Sequence, residues 1–302
     1  MYSWSSLLEE AQKHITGDDV SAYFSFLMEK KKEFLHSLSE KTGRNTILYF
    51  SAFLHKRSID AEINDSDINA LMECVHGLDK SKGLDLILHT PGGNLAATEQ
   101  IIYYLKSFFN NDIRAIIPQM AMSAGSMIAV SCNEIIMGRQ SCLGPFDPQM
   151  NGVACQNVIE EFRRAVRDIE EHPASLGLWQ TIISKLTPTF IEQCEQADKL
   201  AEELTSSILE GKSDSAQKSI KKAFTKNSDS KTHARHINRD KCKASGLNIL
   251  DLEVDQEMQD LVLGIHHCCM ILGETSPLQK IVENQNGKGI MKQVSNLNNT
   301  HK

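Results

Sequence analysis

Residues 84–130 read LDLILHTPGGNLAATEQIIYYLKSFFNNDIRAIIPQMAMSAGSMIAV, and this stretch decides the fold class. Leu84–Leu88 is an apolar run with the length of a buried strand, and the breaker cluster His89–Gly93 follows it. The next residues carry apolar side chains at three- and four-residue steps, as an amphipathic helix does. Ile113–Ile117 is a second apolar run. The pattern therefore predicts a strand, a helix and a second, parallel strand.

Crossover units of this kind are right-handed almost without exception, so both strands point the same way and their carboxyl ends are neighbours. We therefore expect Gly92 and Gly93 to lie beside Ser123-Ala124-Gly125, at the edge where open α/β sheets place their ligands. Ser123 precedes an apolar segment that we predict to be helical. The Ala124 N–H would then lie at the positive end of that helix, which favours an anion.

Such a corner could perform acyl transfer, which needs a nucleophile and hydrogen-bond donors facing the oxygen that gains charge. Ser123 is the candidate nucleophile, and the N–H groups of Ala124 and of Gly92 or Gly93 are the candidate donors. Two plainer interpretations stay open, because serine is a common helix N-cap and Pro-Gly-Gly is a common turn. Ser126, one helical turn further on, is the reserve nucleophile.

Four motifs carry a resemblance to a known family. They are HTPGG at 89–93, MSAGSMIA at 122–129, NEIIMG at 133–138 and LGPFDPQ at 143–149. In this order they resemble the serine dehydrogenase proteinase group, which has the Clp protease/crotonase-like fold and is related to signal peptide peptidase A. The resemblance covers roughly Ile47 to Gly289. It implies an α/β fold of repeated β-β-α and β-α-β units, with an N-terminal helical arm and C-terminal helices.

The resemblance also implies site roles. The serine of the family that aligns with Ser123 is the nucleophile, and the glycine corner (Gly92 and Gly93) with Ala124 would form the oxyanion hole. The Clp subunit has a histidine in the segment that matches Gly144–Gln149, whereas this chain has none there.

Signal peptide peptidases use a lysine as the base instead, and burial lowers the pKa of a lysine toward that role. We therefore predict Lys185 as the base, in preference to Lys199. Its plainer interpretation as an exposed surface lysine stays open. Asp147, His233 and His236 are possible orienting groups or alternative bases. The His-x-x-His spacing alone is too weak to indicate a metal, and no metal or cofactor is predicted.

Composition narrows the class of protein. The 302 residues carry a formal charge of −7, which argues against general affinity for nucleic acid. The eight cysteines show no Cys-x-x-Cys spacing, so a reducing cytoplasm fits best. No secretory signal or membrane span is evident, and no membrane insertion is expected.

We predict a helical arm at 1–44, one Clp/crotonase-like serine peptidase domain at 45–292 and a disordered tail at 293–302. The arm is a hypothetical contributor to subunit association, with packing onto its own core as the equal alternative.

These features together predict a cytoplasmic, homo-oligomeric serine peptidase of the endopeptidase type that acts on peptide or protein substrates. Two rivals remain. One is a catalytically inactive oligomeric scaffold, motivated by the unassigned base. The other is a crotonase-type acyl-CoA enzyme that uses the same oxyanion corner on a thioester. Fold alone does not decide among the three.

Overall fold

A computed structural model describes residues 3–15, 20–56, 59–150, 152–225 and 235–294. The helices in these ranges are α1 Trp4–Gln12, α2 Ser21–Thr42, α3 Asp67–Val75, α4 Leu95–Phe108, α5 Ala124–Ser131, α6 Cys155–Glu171, α7 Leu176–Ile183, α8 Pro188–Ile208, α9 Asp214–Thr225, α10 Arg239–Ala244 and α11 Gln256–Thr275. The strands are β1 Asn45–Ser51, β2 Leu84–His89, β3 Ile113–Ile117, β4 Met120–Ala121, β5 Glu134–Met137, β6 Cys142–Leu143, β7 Gln149–Met150, β8 Val153–Ala154, β9 Ile237–Asn238, β10 Ile249–Asp251, β11 Leu278–Asn284 and β12 Gly289–Gln293.

The chain forms two compact units. Unit 1 comprises Met1–Leu143 and Ile237–Lys302, and unit 2 comprises Gly144–His236. The single domain over 45–292 that the sequence predicts stays a prediction. Unit 2 is the segment between β6 and β9, and it packs on itself. It has its own apolar cluster, in which Cys155, Val158 and Cys194 are buried.

A seven-stranded sheet forms the frame of unit 1, with strand order β10-β5-β3-β2-β1-β11-β12. The pairs from β10 through β1 are parallel, and β11 and β12 add antiparallel strands. Strands β1, β2, β3 and β5 are neighbours in this sheet in the same order as in the sequence. Right-handed crossovers therefore place α3, α4 and α5 on one face. The α/β Clp-like fold predicted from the sequence is confirmed.

The opposite face of this sheet is covered by α1, α2 and α11. Alternate strand residues point to this face, and Leu48, Phe50 and Ile87 share its apolar cluster with Leu27 and Ile265 from the helices. The N-terminal helices therefore pack into the core of unit 1. Whether they also contribute to subunit association stays a prediction.

A smaller three-stranded sheet, β4-β6-β9, also belongs to unit 1. Its first strand, β4, follows β3 directly and leads into α5, so the end of this strand sets the position of Ser123. All eight cysteines are free and buried, which is where a thiol behaves as a small apolar side chain.

Candidate active site

The two predicted corners meet at the carboxyl end of β2. The Thr90 N–H donates to the Met120 carbonyl at 3.3 Å, and the Met122 N–H donates to the Thr90 carbonyl at 3.0 Å. A Cβ placed on Gly92 would lie 2.8 Å from the Cβ of Ser123. The approach of the two loops thus requires glycine at position 92, where φ is +95°.

The glycine corner is held by Ile63. The Ile63 N–H donates to the Gly92 carbonyl at 2.8 Å, and the Asn94 N–H donates to the Ile63 carbonyl at 2.9 Å. The peptide between Gly92 and Gly93 is trans, so its N–H points opposite to its carbonyl. The Gly93 N–H therefore points away from Ile63.

The two glycines differ in what their amides contact. The Gly92 N–H already donates to the Thr90 hydroxyl at 3.2 Å. Within the described part of the chain, no acceptor is found for the Gly93 N–H. A Cβ on Gly93 would collide with the backbone of Ile63. Gly93 is therefore the better placed of the two glycines to offer a hydrogen bond to a ligand.

Ser123 has a backbone conformation that few residues other than glycine adopt, with φ of 50° and ψ of −121°. Conformations of this type cost on the order of 1–3 kcal/mol and cluster at functional sites. Ser123 occupies the N-cap position of α5, yet its side chain makes no capping hydrogen bond. The plain N-cap interpretation is therefore excluded, and the partly exposed hydroxyl remains available for other contacts.

The backbone N–H groups in the first turn of α5 differ in their hydrogen bonds. Gly125 N–H donates to the Met122 carbonyl at 2.8 Å, and Ser126 N–H donates to the Ser123 carbonyl at 2.8 Å. For the Ala124 N–H, the residues that the structure describes provide no acceptor. This amide follows Ser123 directly and lies at the positive end of the helix dipole.

Ser126 differs from Ser123 in every relevant respect. It is fully buried, and its hydroxyl donates to the Ala121 carbonyl at 2.6 Å. This bond connects the first turn of α5 to β4. Ser126 is thus a structural residue, and the reserve assignment of the nucleophile to it does not fit the structure.

His89, the histidine of the HTPGG motif, points to the α11 face of the sheet. Its ring stacks on Phe50 with a centroid distance of 5.1 Å and meets the ring of His266 edge-on at 4.9 Å. Burial lowers the pKa of His89 to about 3, so the ring is neutral at physiological pH. Its surroundings are those of a core aromatic residue.

The predicted bases belong mainly to unit 2. Lys185 is exposed in the turn after α7, and Lys199 is exposed on α8. Asp147 is buried, and His236 is exposed next to β9. His233 lies outside the described residues. The assignment of the base stays a prediction.

Two residues that build the corner were not singled out from the sequence. Ile63 acts only through its backbone, so its apolar side chain gives no indication of that role. Thr90 supplies a hydroxyl to the Gly92 N–H and packs its methyl group against Gly125. This methyl group leaves no room for a side chain at position 125. The contact joins two loops that are distant in the sequence, so the sequence alone does not indicate it.

Metal-ligating groups and membrane-spanning helices also bear on function. Over the described ranges, no group of three or more His, Cys, Asp or Glu side chains is arranged to hold a metal ion. None of the described helices combines the length and the apolar character that crossing a membrane requires.

The chain belongs to the family of ClpP-like SDH-type serine proteinases, whose model matches residues 49–271. It is also similar to two uncharacterized proteins of Methanocaldococcus jannaschii. One is 30% identical over 188 residues, which is 62% of this chain and 59% of that protein. The other is 36% identical over 98 residues, which is 32% of this chain and 34% of that protein. The chain thus spans less than two thirds of either relative.

Proposed function

We propose that this ClpP-like SDH-type family member is a serine peptidase of the endopeptidase type, with Ser123 as its nucleophile. The observation that carries the proposal is the state of Ser123, which has a strained backbone and a hydroxyl that does not cap its helix. The adjacent glycine corner adds a main-chain donor that no described residue uses.

In the proposed reaction the Ser123 oxygen forms a bond to the carbonyl carbon of a peptide, and its proton passes to a base. The carbonyl oxygen becomes negative and accepts hydrogen bonds from the N–H groups of Gly93 and Ala124. Collapse of this intermediate breaks the C–N bond, and the base returns the proton to the leaving amine. Water then gives a proton to the base and forms a bond to the acyl carbon. The bond between this carbon and the Ser123 oxygen breaks, the oxygen takes the proton back from the base, and the carboxylic acid product leaves. This sequence needs no cofactor.

The Gly92 N–H has a smaller part in this proposal. Because it donates to the Thr90 hydroxyl, it stabilises the loop, while the Gly93 N–H faces the opposite way from Ile63. Of the three residues predicted for the oxyanion hole, Gly92, Gly93 and Ala124, we therefore propose that two donate to the substrate, through the N–H groups of Gly93 and Ala124.

Lys185 is our proposed base, and the exposure of its side chain in unit 2 makes this the part to test first. A lysine accepts a proton near neutral pH only when its surroundings disfavour the ammonium form. Lys199 provides a matched control, since it is a second exposed lysine of unit 2. We expect Lys185→Met to slow acylation of Ser123 by about 10²-fold or more and Lys199→Met to leave it unchanged. Equal rates in both variants would transfer the role to Asp147, His233 or His236.

A fluorophosphonate probe tests the nucleophile directly. We expect the wild-type protein and Ser126→Ala to be labelled on one serine, and Ser123→Ala to remain unlabelled. Peptide mapping by mass spectrometry identifies the modified residue. Labelling of Ser123→Ala at the wild-type level would contradict the assignment. A correctly folded wild-type protein that is never labelled would favour the inactive scaffold.

Peptide or protein substrates and assembly into a homo-oligomer belong to the same proposal. Hydrolysis of an unstructured protein such as casein, measured for wild type and Ser123→Ala, tests the substrate class. Light scattering measures the oligomeric state independently of activity.

A further inference from the structure

A buried ionic cluster lies behind the glycine corner, and the proposed mechanism does not use it. Lys280 from β11 and Asp67 from α3 are almost fully buried, with relative exposures of 1% and 0%. The Lys280 ammonium contacts the Asp67 carboxylate at 2.8 and 2.9 Å. The Tyr49 hydroxyl donates to the same carboxylate at 2.6 Å. The Lys292 ammonium contacts this carboxylate as well, at 3.2 Å. Buried charges of this kind are costly unless they are paired, so Lys280 depends on Asp67.

Besides the two oxygens of Asp67, the ammonium of Lys280 has a third acceptor, which is a backbone carbonyl. Its Nζ donates to the Glu62 carbonyl at 2.6 Å. An ammonium has three protons and no lone pair, so these contacts use its full donor capacity. Lys280 is therefore arranged to hold its neighbours in place.

The carboxylate of Asp67 also reaches the backbone. Its Oδ2 accepts a hydrogen bond from the Asn64 N–H at 3.1 Å. The pair thus holds the chain on both sides of Ile63, by the carbonyl of Glu62 and by the N–H of Asn64. Ile63, between these two contacts, is the residue whose N–H and carbonyl bind Gly92 and Asn94.

We propose that Lys280 and Asp67 are positioning residues that set the direction of the Gly93 N–H through the Glu62-Ile63-Asn64 segment. The chain of contacts is continuous, because the pair fixes the segment and Ile63 fixes the Gly92 carbonyl. The planar trans peptide then fixes the Gly93 N–H on the opposite side. The inference rests on the proposed function, and Lys280 lies beyond the residues that the family model matches.

The same strand offers a matched control. Lys31 on α2 and Glu283 on β11 form a second buried pair, with Nζ and Oε2 2.6 Å apart. Lys31 is fully buried, as Lys280 is. This pair joins β11 to α2, on the face opposite the glycine corner. Lys31→Met removes the ammonium that pairs with Glu283, whereas after loss of Lys280 the Asp67 carboxylate keeps its contact with Lys292. Of the two buried lysines, only Lys280 is connected to Ile63.

The experiment measures fluorophosphonate labelling of the full chain and separates the maximal rate kinact from the apparent affinity KI. We expect Lys280→Met to lower kinact by about 10²-fold with KI unchanged, because a donor of the oxyanion hole is misdirected. Lys31→Met keeps the wild-type kinact at a temperature where it is folded. The double variant Lys280→Met/Asp67→Asn removes both fully buried charges and keeps an acceptor for the Asn64 N–H, and the Lys292 ammonium that remains is 25% exposed. The double variant therefore allows the measurement even if Lys280→Met alone does not fold. We expect its kinact to be as low as that expected for Lys280→Met.

Wild-type kinact in the folded double variant would overturn the inference while leaving the proposed function intact. A loss in Lys31→Met as large as that in Lys280→Met would also overturn it, since the effect would then be global. Absence of labelling in the wild-type protein would instead remove the proposed function itself.

Discussion

The two ends of the parallel sheet in unit 1 satisfy their polar groups in opposite ways. At the amino end, the buried carboxylate of Asp85 accepts hydrogen bonds from Arg44 at 2.9 Å and from Arg114 at 2.7 Å. The Arg44 guanidinium also donates a hydrogen bond to the Asp112 carboxylate at 2.7 Å, so the charges at this end are paired. At the carboxyl end, the buried pair of Lys280 and Asp67 lies behind the glycine corner, and the main-chain N–H groups of Gly93 and Ala124 have no acceptor among the described residues.

We propose on the basis of this difference that the amino end stabilises the fold and that the carboxyl end carries the active site. A saturated network of charge-assisted bonds holds strands together and has no capacity left for a ligand. An incompletely bonded corner with a strained serine is a cost to folding of the kind that clusters at functional sites. Substitutions at the two ends should therefore affect different measurements.

The largest effect on activity is expected for Gly92→Ala. Its new methyl group would lie 2.6 Å from the Met122 carbonyl and 2.8 Å from the Ser123 Cβ, so the two loops must separate. We expect the rate of fluorophosphonate labelling to fall by about 10²–10³-fold, the range seen when an oxyanion donor is lost.

Gly83→Ala is the matched control at the other end of β2. Gly83 also has a positive φ, of +63°, but its added Cβ meets the side-chain ends of Arg44 and Asp112, which can move. Both variants lose on the order of 1–3 kcal/mol, because alanine rarely adopts the positive φ of either position. Only Gly92→Ala should lose labelling. Equal labelling rates in the two variants would remove the functional distinction between the ends.

The next effect concerns stability and comes from the amino end. Asp85→Asn removes the charge that two arginines share, and breaking a buried pair costs about 3–5 kcal/mol. We expect urea denaturation to show this loss, while the labelling rate of the folded protein stays at the wild-type value. A labelling rate that falls in proportion to the stability would show that the two ends are not independent.

The smallest effect is expected for Asn94→Ala. The Asn94 side chain caps α4 by accepting from the Ala97 N–H at 3.0 Å, and loss of such a cap costs about 1 kcal/mol. The backbone N–H of residue 94 keeps its bond to Ile63, so labelling should change little. A large loss of labelling in this variant would mean that the side chain, and not the backbone, orients the corner.

Much of this arrangement can be predicted from the sequence, because it depends on local apolar patterns. The run at Ile113–Ile117 is the strand β3, and β2 extends the predicted strand by only one residue, to His89. Right-handed crossover then brings the glycine and serine corners together, as expected. What the pattern could not show is that Ser126 is buried and that Ser123 does not cap its helix.

The strand β11 is where sequence reasoning failed. It is buried along its whole length, yet four of its residues are polar, namely Gln279, Lys280, Glu283 and Asn284. Apolar periodicity does not detect such a strand, since Lys280, Glu283 and Asn284 bond to partners far away in the sequence. Lys280 and Asp67, for example, are separated by 213 residues. The proposal of Lys185 as the proton acceptor for Ser123 stays a prediction for a related reason, because tertiary geometry and not local spacing decides which group reaches the hydroxyl.

The most direct measurement is a crystal structure of the fluorophosphonate adduct. We predict a phosphorus atom bonded to the Ser123 oxygen, with the phosphoryl oxygen about 2.7–3.1 Å from the nitrogens of both Gly93 and Ala124. An adduct on another residue, or a phosphoryl oxygen that faces away from these two amides, would contradict the account.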